Sequence, residues 1–192
     1  MLKKFGLIAA SAVSVFAMHS AEINVNNSDL ELGVKFDVGQ FDDAVEPETM
    51  FFGAKYINAD EKHSDFSNID DYQELNFLMQ REVDSGFTLG LGVKLNHTKN
   101  FVSVPLGVEA SYKLPANIQI PFYINGSLYY APEVLSYDNA DGFSEFRISL
   151  DAEVIENGRV TVGYRSLETD YDNTRRHDKY NSSVYLGFKF AF

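Results

Sequence analysis

The chain has 192 residues, with 16 Lys and Arg against 28 Asp and Glu, and neither cysteine nor tryptophan. That acidic balance argues against nucleic-acid binding, and the lack of cysteine excludes a disulfide framework, a lipoprotein attachment site, a thiolate metal site and a thiol nucleophile. The length suits one domain, and no Pro/Gly/Ser linker or repeated block divides it.

Lys3 and Lys4 precede the apolar run Phe5 to Ala17, which is shorter than a membrane-spanning helix and is followed by small residues, the pattern of a secretory signal. Two cleavage points fit: after Ala17, with Val15 at the minus-three position, or after Ala21, with His19 there. The boundary adopted is Ala21, since Glu22 then opens the mature chain, giving a signal peptide over 1–21 and a barrel domain over 22–192. Loss of the two signal lysines leaves 14 basic against 28 acidic residues, a net charge of −14. No later apolar run is long enough for a spanning helix, so a membrane crossing by this chain requires a closed barrel.

From Asp29 onward apolar and polar residues alternate with period two, the mark of strands with one face in a hydrophobic medium and the other in something wet. Leu30, Leu32, Val34, Phe36 and Val38 oppose Glu31, Gly33, Lys35 and Asp37. Met50 to Tyr56 and Glu74 to Gln80 repeat the pattern, and Phe87, Leu89, Leu91, Val93 and Leu95 oppose Gly90, Gly92, Lys94 and Asn96. Longer runs cover Val102 to Tyr112 and Ile118 to Tyr130, followed by Phe146 to Val154, Val160 to Tyr164 and Val184 to Phe192. These make nine clear strands. An up-and-down bacterial barrel needs an even number, and the short segment Ile23 to Asn26 supplies a tenth; an eight-stranded barrel is the alternative. The expected fold is thus all-β, an antiparallel transmembrane up-and-down barrel. Val83 to Gly86, Leu114 to Asn117 and Ile155 to Gly158 read as tight turns, whereas Ala59 to Asp70, Pro132 to Gly142 and Glu168 to Lys179 read as long acidic loops at the other rim. The stretch Gly39 to Glu48 is long for a periplasmic turn, and Pro105 and Pro121 each remove a ladder donor inside a run.

The inward face carries Glu31, Asp37, Glu74, Glu109, Glu145, Asp151 and Glu153 against Lys35, Lys55, Lys94, Lys113, Arg147, Arg165 and Lys189, seven acids facing seven bases. In a narrow barrel this even mixture predicts a lumen filled by paired side chains, a water-filled pore lined by the same charges being the other reading. Gly90 and Gly92 on that face leave room for a long neighbour such as an arginine. Outside, Tyr56, Phe101, Tyr112, Tyr130 and Tyr164 are candidates for interfacial girdles. Leu186, Phe188, Phe190 and the terminal Phe192 share one face, an ending similar to that recognised by the outer-membrane assembly machinery.

The segments Tyr129-Tyr130-Ala131-Pro132-Glu133-Val134-Leu135-Ser136 and Val162-Gly163-Tyr164-Arg165 and the ending Tyr185-Leu186-Gly187-Phe188-Lys189-Phe190 resemble the YfaZ family of outer-membrane proteins, most closely from about residue 118 onward. The resemblance implies an outer-membrane barrel with a porin-like label; it implies no catalytic residue, cofactor or substrate.

Pro132, Glu133, Tyr137 and Asp138 either fold inward and constrict a pore mouth, or Pro132 simply ends its strand while Leu135 packs on the rim. His63 with Asp60 and Asp65, and His177 with Asp172 and Asp178, are the candidate catalytic pairs; with His97 they fall in connections assigned to the outer rim, at spacings that acidic loops produce by composition alone. Asp60, Glu61, Asp70, Asp71, Asp170 and Asp172 suit divalent cations bridging to lipopolysaccharide phosphates. The leading expectation is a narrow porin-like pore for small solutes, without cofactor or resident metal. The alternative is a structural or interaction barrel with a charge-plugged lumen, and the third reading is a rim-located enzyme. Outer-membrane lipid and lipopolysaccharide are the expected partners, with no nucleic acid.

Overall fold

The computed structural model describes residues 19–59, 71–115, 120–138, 140–171 and 177–192, apart from the side chains of 59, 171 and 177–180. Among the described residues there are twelve strands: β1 Ser20–Val25, β2 Asp29–Asp37, β3 Met50–Ala59, β4 Tyr72–Asp84, β5 Phe87–His97, β6 Phe101–Ser103, β7 Leu106–Lys113, β8 Phe122–Ala131, β9 Ser136–Asp138, β10 Ala140–Ile155, β11 Gly158–Tyr171 and β12 His177–Ala191. Ten of them form the wall, antiparallel throughout, in the circuit β1-β2-β3-β4-β5-β7-β8-β10-β11-β12. The ring closes where β12 pairs back on β1, from Ser20 opposite Ala191 to Val25 opposite Leu186. Closure leaves no unpaired edge in the wall. The expected segment at Ile23 is therefore the tenth strand, and it starts at Ser20, ahead of the boundary expected after Ala21.

Outward positions on every wall strand are large and apolar: Ile23, Leu32, Phe52, Leu75, Leu91, Val108, Ile124, Ile148, Val162 and Leu186 are all exposed. Residues one step away along each strand face the interior and are buried or partly buried, as period-two geometry requires.

Four details depart from the sequence reading. The run Val102 to Tyr112 is split at Pro105, which has no N–H for the ladder; β6 stays paired with β5 but takes β9 as its other neighbour, and Val104 donates to the Leu135 carbonyl at 2.8 Å. Pro121 likewise lies just before β8, its carbonyl accepting Glu153 N–H at 3.0 Å, and Ile120 sits outside the strand. The acidic stretches near Gly142 and Glu168 are strand rather than loop, because inward Phe143, Leu167 and Thr169 continue the alternation past the point where charge suggests a loop. Loop lengths are also less sorted than expected, with short connections at 26–28 and 98–100 on the rim opposite the termini and a long one at 38–49 on the rim that carries them.

Gly92 and Gly107 make room for the Tyr129 ring. A Cβ on Gly107 would lie 2.3 Å from the Leu128 carbonyl oxygen and 2.4 Å from that ring, and one on Gly92 would lie 2.2 Å from the Tyr129 hydroxyl. The long neighbour that Gly92 accommodates is thus a tyrosine and not an arginine, while Gly90 faces Leu78. Gly107→Ala is expected to destabilise the barrel by about 1–3 kcal/mol, because a backbone carbonyl cannot rotate away from the added methyl. A lowered urea midpoint for unfolding from lipid vesicles is the check, and an unchanged midpoint refutes the packing argument.

Candidate functional site

Several ion pairs inside the barrel join strands that are not neighbours in the wall, so they cross the lumen. Arg147 on β10 donates from Nη1 to both carboxylate oxygens of Glu31 on β2, at 2.9 and 2.8 Å, and from Nε to Glu145. Arg165 on β11 also reaches Glu31, and its Nη2 donates to Asp29 at 2.6 Å. Glu31 further accepts from Asn24 Nδ2 at 2.8 Å and has Lys55 Nζ at 3.8 Å. On the facing side Lys94 of β5 bonds Glu145 at 2.7 Å and Glu74 at 3.2 Å and sits over the Tyr129 ring at 4.0 Å. Glu31, Glu145 and Arg165 have no solvent exposure. Buried charges hold only when paired; among the described residues Arg147 uses Nη1 on both Glu31 oxygens and Nε on Glu145, while its buried Nη2 has no hydrogen-bond partner.

This lattice divides the interior. Toward the rim away from the termini, Ile57, Tyr72, Phe101, Ala131, Ala140, Phe143 and Leu167 form a buried apolar cap across the lumen, with Leu135 packed on it. The Phe143 ring lies 5.8 Å from Phe101 and 6.4 Å from Tyr72. Toward the termini is a polar cavity of about 440 Å³, lined among others by Lys35, Lys55, Glu109, Asp151, Arg159 and Lys189. Lys35 meets Glu109 across it at 3.6 Å, and Glu109 also accepts the Tyr129 hydroxyl at 2.6 Å. Asp151 accepts from Asn125 at 2.9 Å and Ser149 at 3.1 Å; Glu153 accepts from Tyr123 at 3.0 Å and lies 3.5 Å from Arg159.

Of the fourteen charged residues expected inside, Asp37 and Lys113 have other surroundings. Asp37 is buried at the terminus rim, where Oδ1 accepts Gly39 N–H at 3.0 Å and Oδ2 accepts Glu48 N–H at 2.7 Å, pinning both ends of the long 38–49 connection. Lys113 is exposed at that rim, its Nζ 5.8 Å from the Tyr123 ring centroid. Both sit at strand ends, where the interior opens onto the rim. Asp29, Glu22 and Arg159 join the interior although the sequence reading began their strands one or more residues too late; each has the parity of its recognised inward neighbours. Phe101, expected in a girdle, is buried in the cap, since it shares inward parity with Ser103. Glu133, Tyr137 and Asp138 are exposed, so Pro132 ends β8 and Leu135 does the packing. Leu186, Phe188, Phe190 and Phe192 lie on the outward face.

Among the described residues no three His, Cys, Asp or Glu side chains gather as a metal site. Asp71 accepts from the Tyr56 hydroxyl at 2.7 Å and from Asn58 at 3.1 Å, and His97 is the exposed last residue of β5. Asp60, Glu61, His63, Asp65, Asp70 and Asp172 lie outside the described residues, as do the side chains of His177 and Asp178.

A family model described as YfaZ precursor matches residues 3–192. The chain belongs to the YfaZ family. Membership spans nearly the whole chain and so takes in the amino-terminal half, in which the sequence alone offers no distinctive motif. No curated protein matches this family member. Among solved structures it is similar to a NanC porin at 11% identity and TM-score 0.45, covering 91% of this chain and 98% of that one. It is also similar to a chain from work on in-meso crystallisation of membrane proteins, at 12% identity and TM-score 0.40, covering 91% and 83%. Neither likeness bears on what this YfaZ member does.

Proposed function

We propose that this YfaZ member is an outer-membrane barrel shut to free diffusion, serving as a structural and interaction barrel and not as an open pore. The observation that carries this is the Arg147–Glu31 pair spanning from β10 to β2, because an ion pair across the lumen, with Nη1 shared between both carboxylate oxygens, interrupts the continuous water path that a passive pore requires. The apolar cap above it adds a second barrier, since apart from the Tyr72 hydroxyl, which bonds Glu74, its side chains offer water no hydrogen bond. Placement in a membrane is supported by the apolar outward residues on all ten wall strands, since such a belt is costly in water and favourable in lipid. Lipid and lipopolysaccharide are then the surroundings of the wall, and the outward Leu186, Phe188, Phe190 and Phe192 are the surface offered to the assembly machinery.

One feature favours the narrow-pore reading: the polar cavity at the terminus rim is already half of a water path. The lattice would have to rearrange to complete it. Conductance of refolded protein in a planar bilayer separates the two. Wild-type protein is expected to show no steady current, as is Asp151→Ala, which removes no cross-lumen ion pair; Arg147→Ala combined with Phe143→Ala, which removes the spanning pair and part of the cap together, is expected to admit one. A large stable conductance from the wild type overturns the closed-barrel reading.

A further inference from the structure

We infer that the export signal is removed ahead of His19, at the Ala17–Met18 bond, and not after Ala21. The inference rests on the reading of the chain as an exported barrel. Ring closure begins at His19: its backbone N–H donates to the Phe192 carbonyl at 3.0 Å, and its own carbonyl accepts Phe192 N–H at 2.8 Å. Ser20 and Ala21 then stand in register with Ala191 and Phe190 on β12 and, on their other side, with Lys35 and Val34 on β2. The His19 side chain is built into the rim as well. Its Nδ1 accepts the Asp37 backbone N–H at 3.1 Å. Its ring stacks on Phe41 at 5.2 Å and 12°, and lies 5.5 Å from Phe36 and 6.0 Å from the terminal Phe192.

Cleavage after Ala21 would remove every one of these contacts. It would cut β1, at six residues the shortest wall strand, back to Glu22–Val25 and leave the ends of β2 and β12 without a partner where the ring must close. Unpaired backbone groups are costly next to lipid, where no water can take their place. Of the two points the sequence offers, only the one after Ala17 spares His19, and it places the small residues Val15 and Ala17 where a signal peptidase reads them. Water adds across the Ala17–Met18 peptide bond, leaving a carboxylate on Ala17 and an ammonium group on Met18.

The test is the intact mass of the protein isolated from the outer membrane of a Gram-negative host expressing the full precursor. The expected mass is that of residues 18–192, and Ala17→Glu, which spoils that cleavage point, is expected to accumulate as uncleaved precursor. An outer-membrane protein beginning at Glu22, or normal processing of Ala17→Glu, overturns this inference and leaves the export reading standing. A full-length wild-type chain absent from the outer membrane overturns both.

Discussion

Glu31→Ala is expected to cost about 3–5 kcal/mol of folding free energy, the range for removing one partner of a buried ion pair. Glu31 is the acceptor shared by Arg147, Arg165 and Asn24, and it has no exposure to solvent. Its loss leaves two guanidinium groups facing each other, with only Glu145 and Asp29 to offset them. The cost arises less from the missing attraction than from the charge left buried and uncompensated. A double variant, Glu31→Leu with Arg147→Met, removes both charges and is expected to recover much of the loss, so the two changes should be strongly non-additive. Urea unfolding from lipid vesicles measures all three proteins. Should Glu31→Ala cost less than about 1 kcal/mol, the value for a solvated pair, the lumen is wet at that height and the closed-barrel reading fails with it.

Leu91→Arg probes the outer surface in the same assay. Leu91 lies midway along β5 and is 67% exposed. On a protein surrounded by water, a change at so open a position stays within about 0.5 kcal/mol. At the midplane of a bilayer the same arginine costs about 2–4 kcal/mol, falling to about 0–1 near the interface. Val83, 65% exposed beside the β4–β5 turn, supplies the control: Val83→Arg is expected to be nearly neutral while Leu91→Arg is not. Equal, small effects at both sites would place this face in water.

The two experiments address the two faces that alternation separates, and they bear differently on function. The lipid-face result concerns where the barrel resides. The Glu31 result concerns whether anything passes through it, because the bonds that fill the lumen are the ones that close it.

Most of the architecture was legible in the sequence because a barrel strand has one rule, period two, and each slip by one residue would turn the whole apolar set inward. Leu32, Leu91, Ile148 and Leu186 announce the outer face, and Glu31, Lys94, Arg147 and Arg165 the inner one, without any knowledge of their neighbours. Strand ends were less legible. Charge near Glu168 and Asp141 reads as loop, yet Leu167 and Phe143 keep inward parity, so the strands run on and carry an apolar cap that composition disguises as loop. Proline was the reverse case: Pro105 and Pro121 look like interruptions within runs, and the ladder does break at each, for want of an N–H. Which acid meets which base was not in the sequence at all. Seven acids and seven bases on one face are compatible with a wet pore or a filled one, and the choice depends on closure, which brings Arg147 of β10 to Glu31, 116 residues away on β2. The sequence by itself determined the alternation, the two faces and the ring of strands, since these follow from local periodicity. Only the tertiary structure decided the pairing across the lumen and the docking of His19 on Phe192, since both depend on distances between strands that share no local signal.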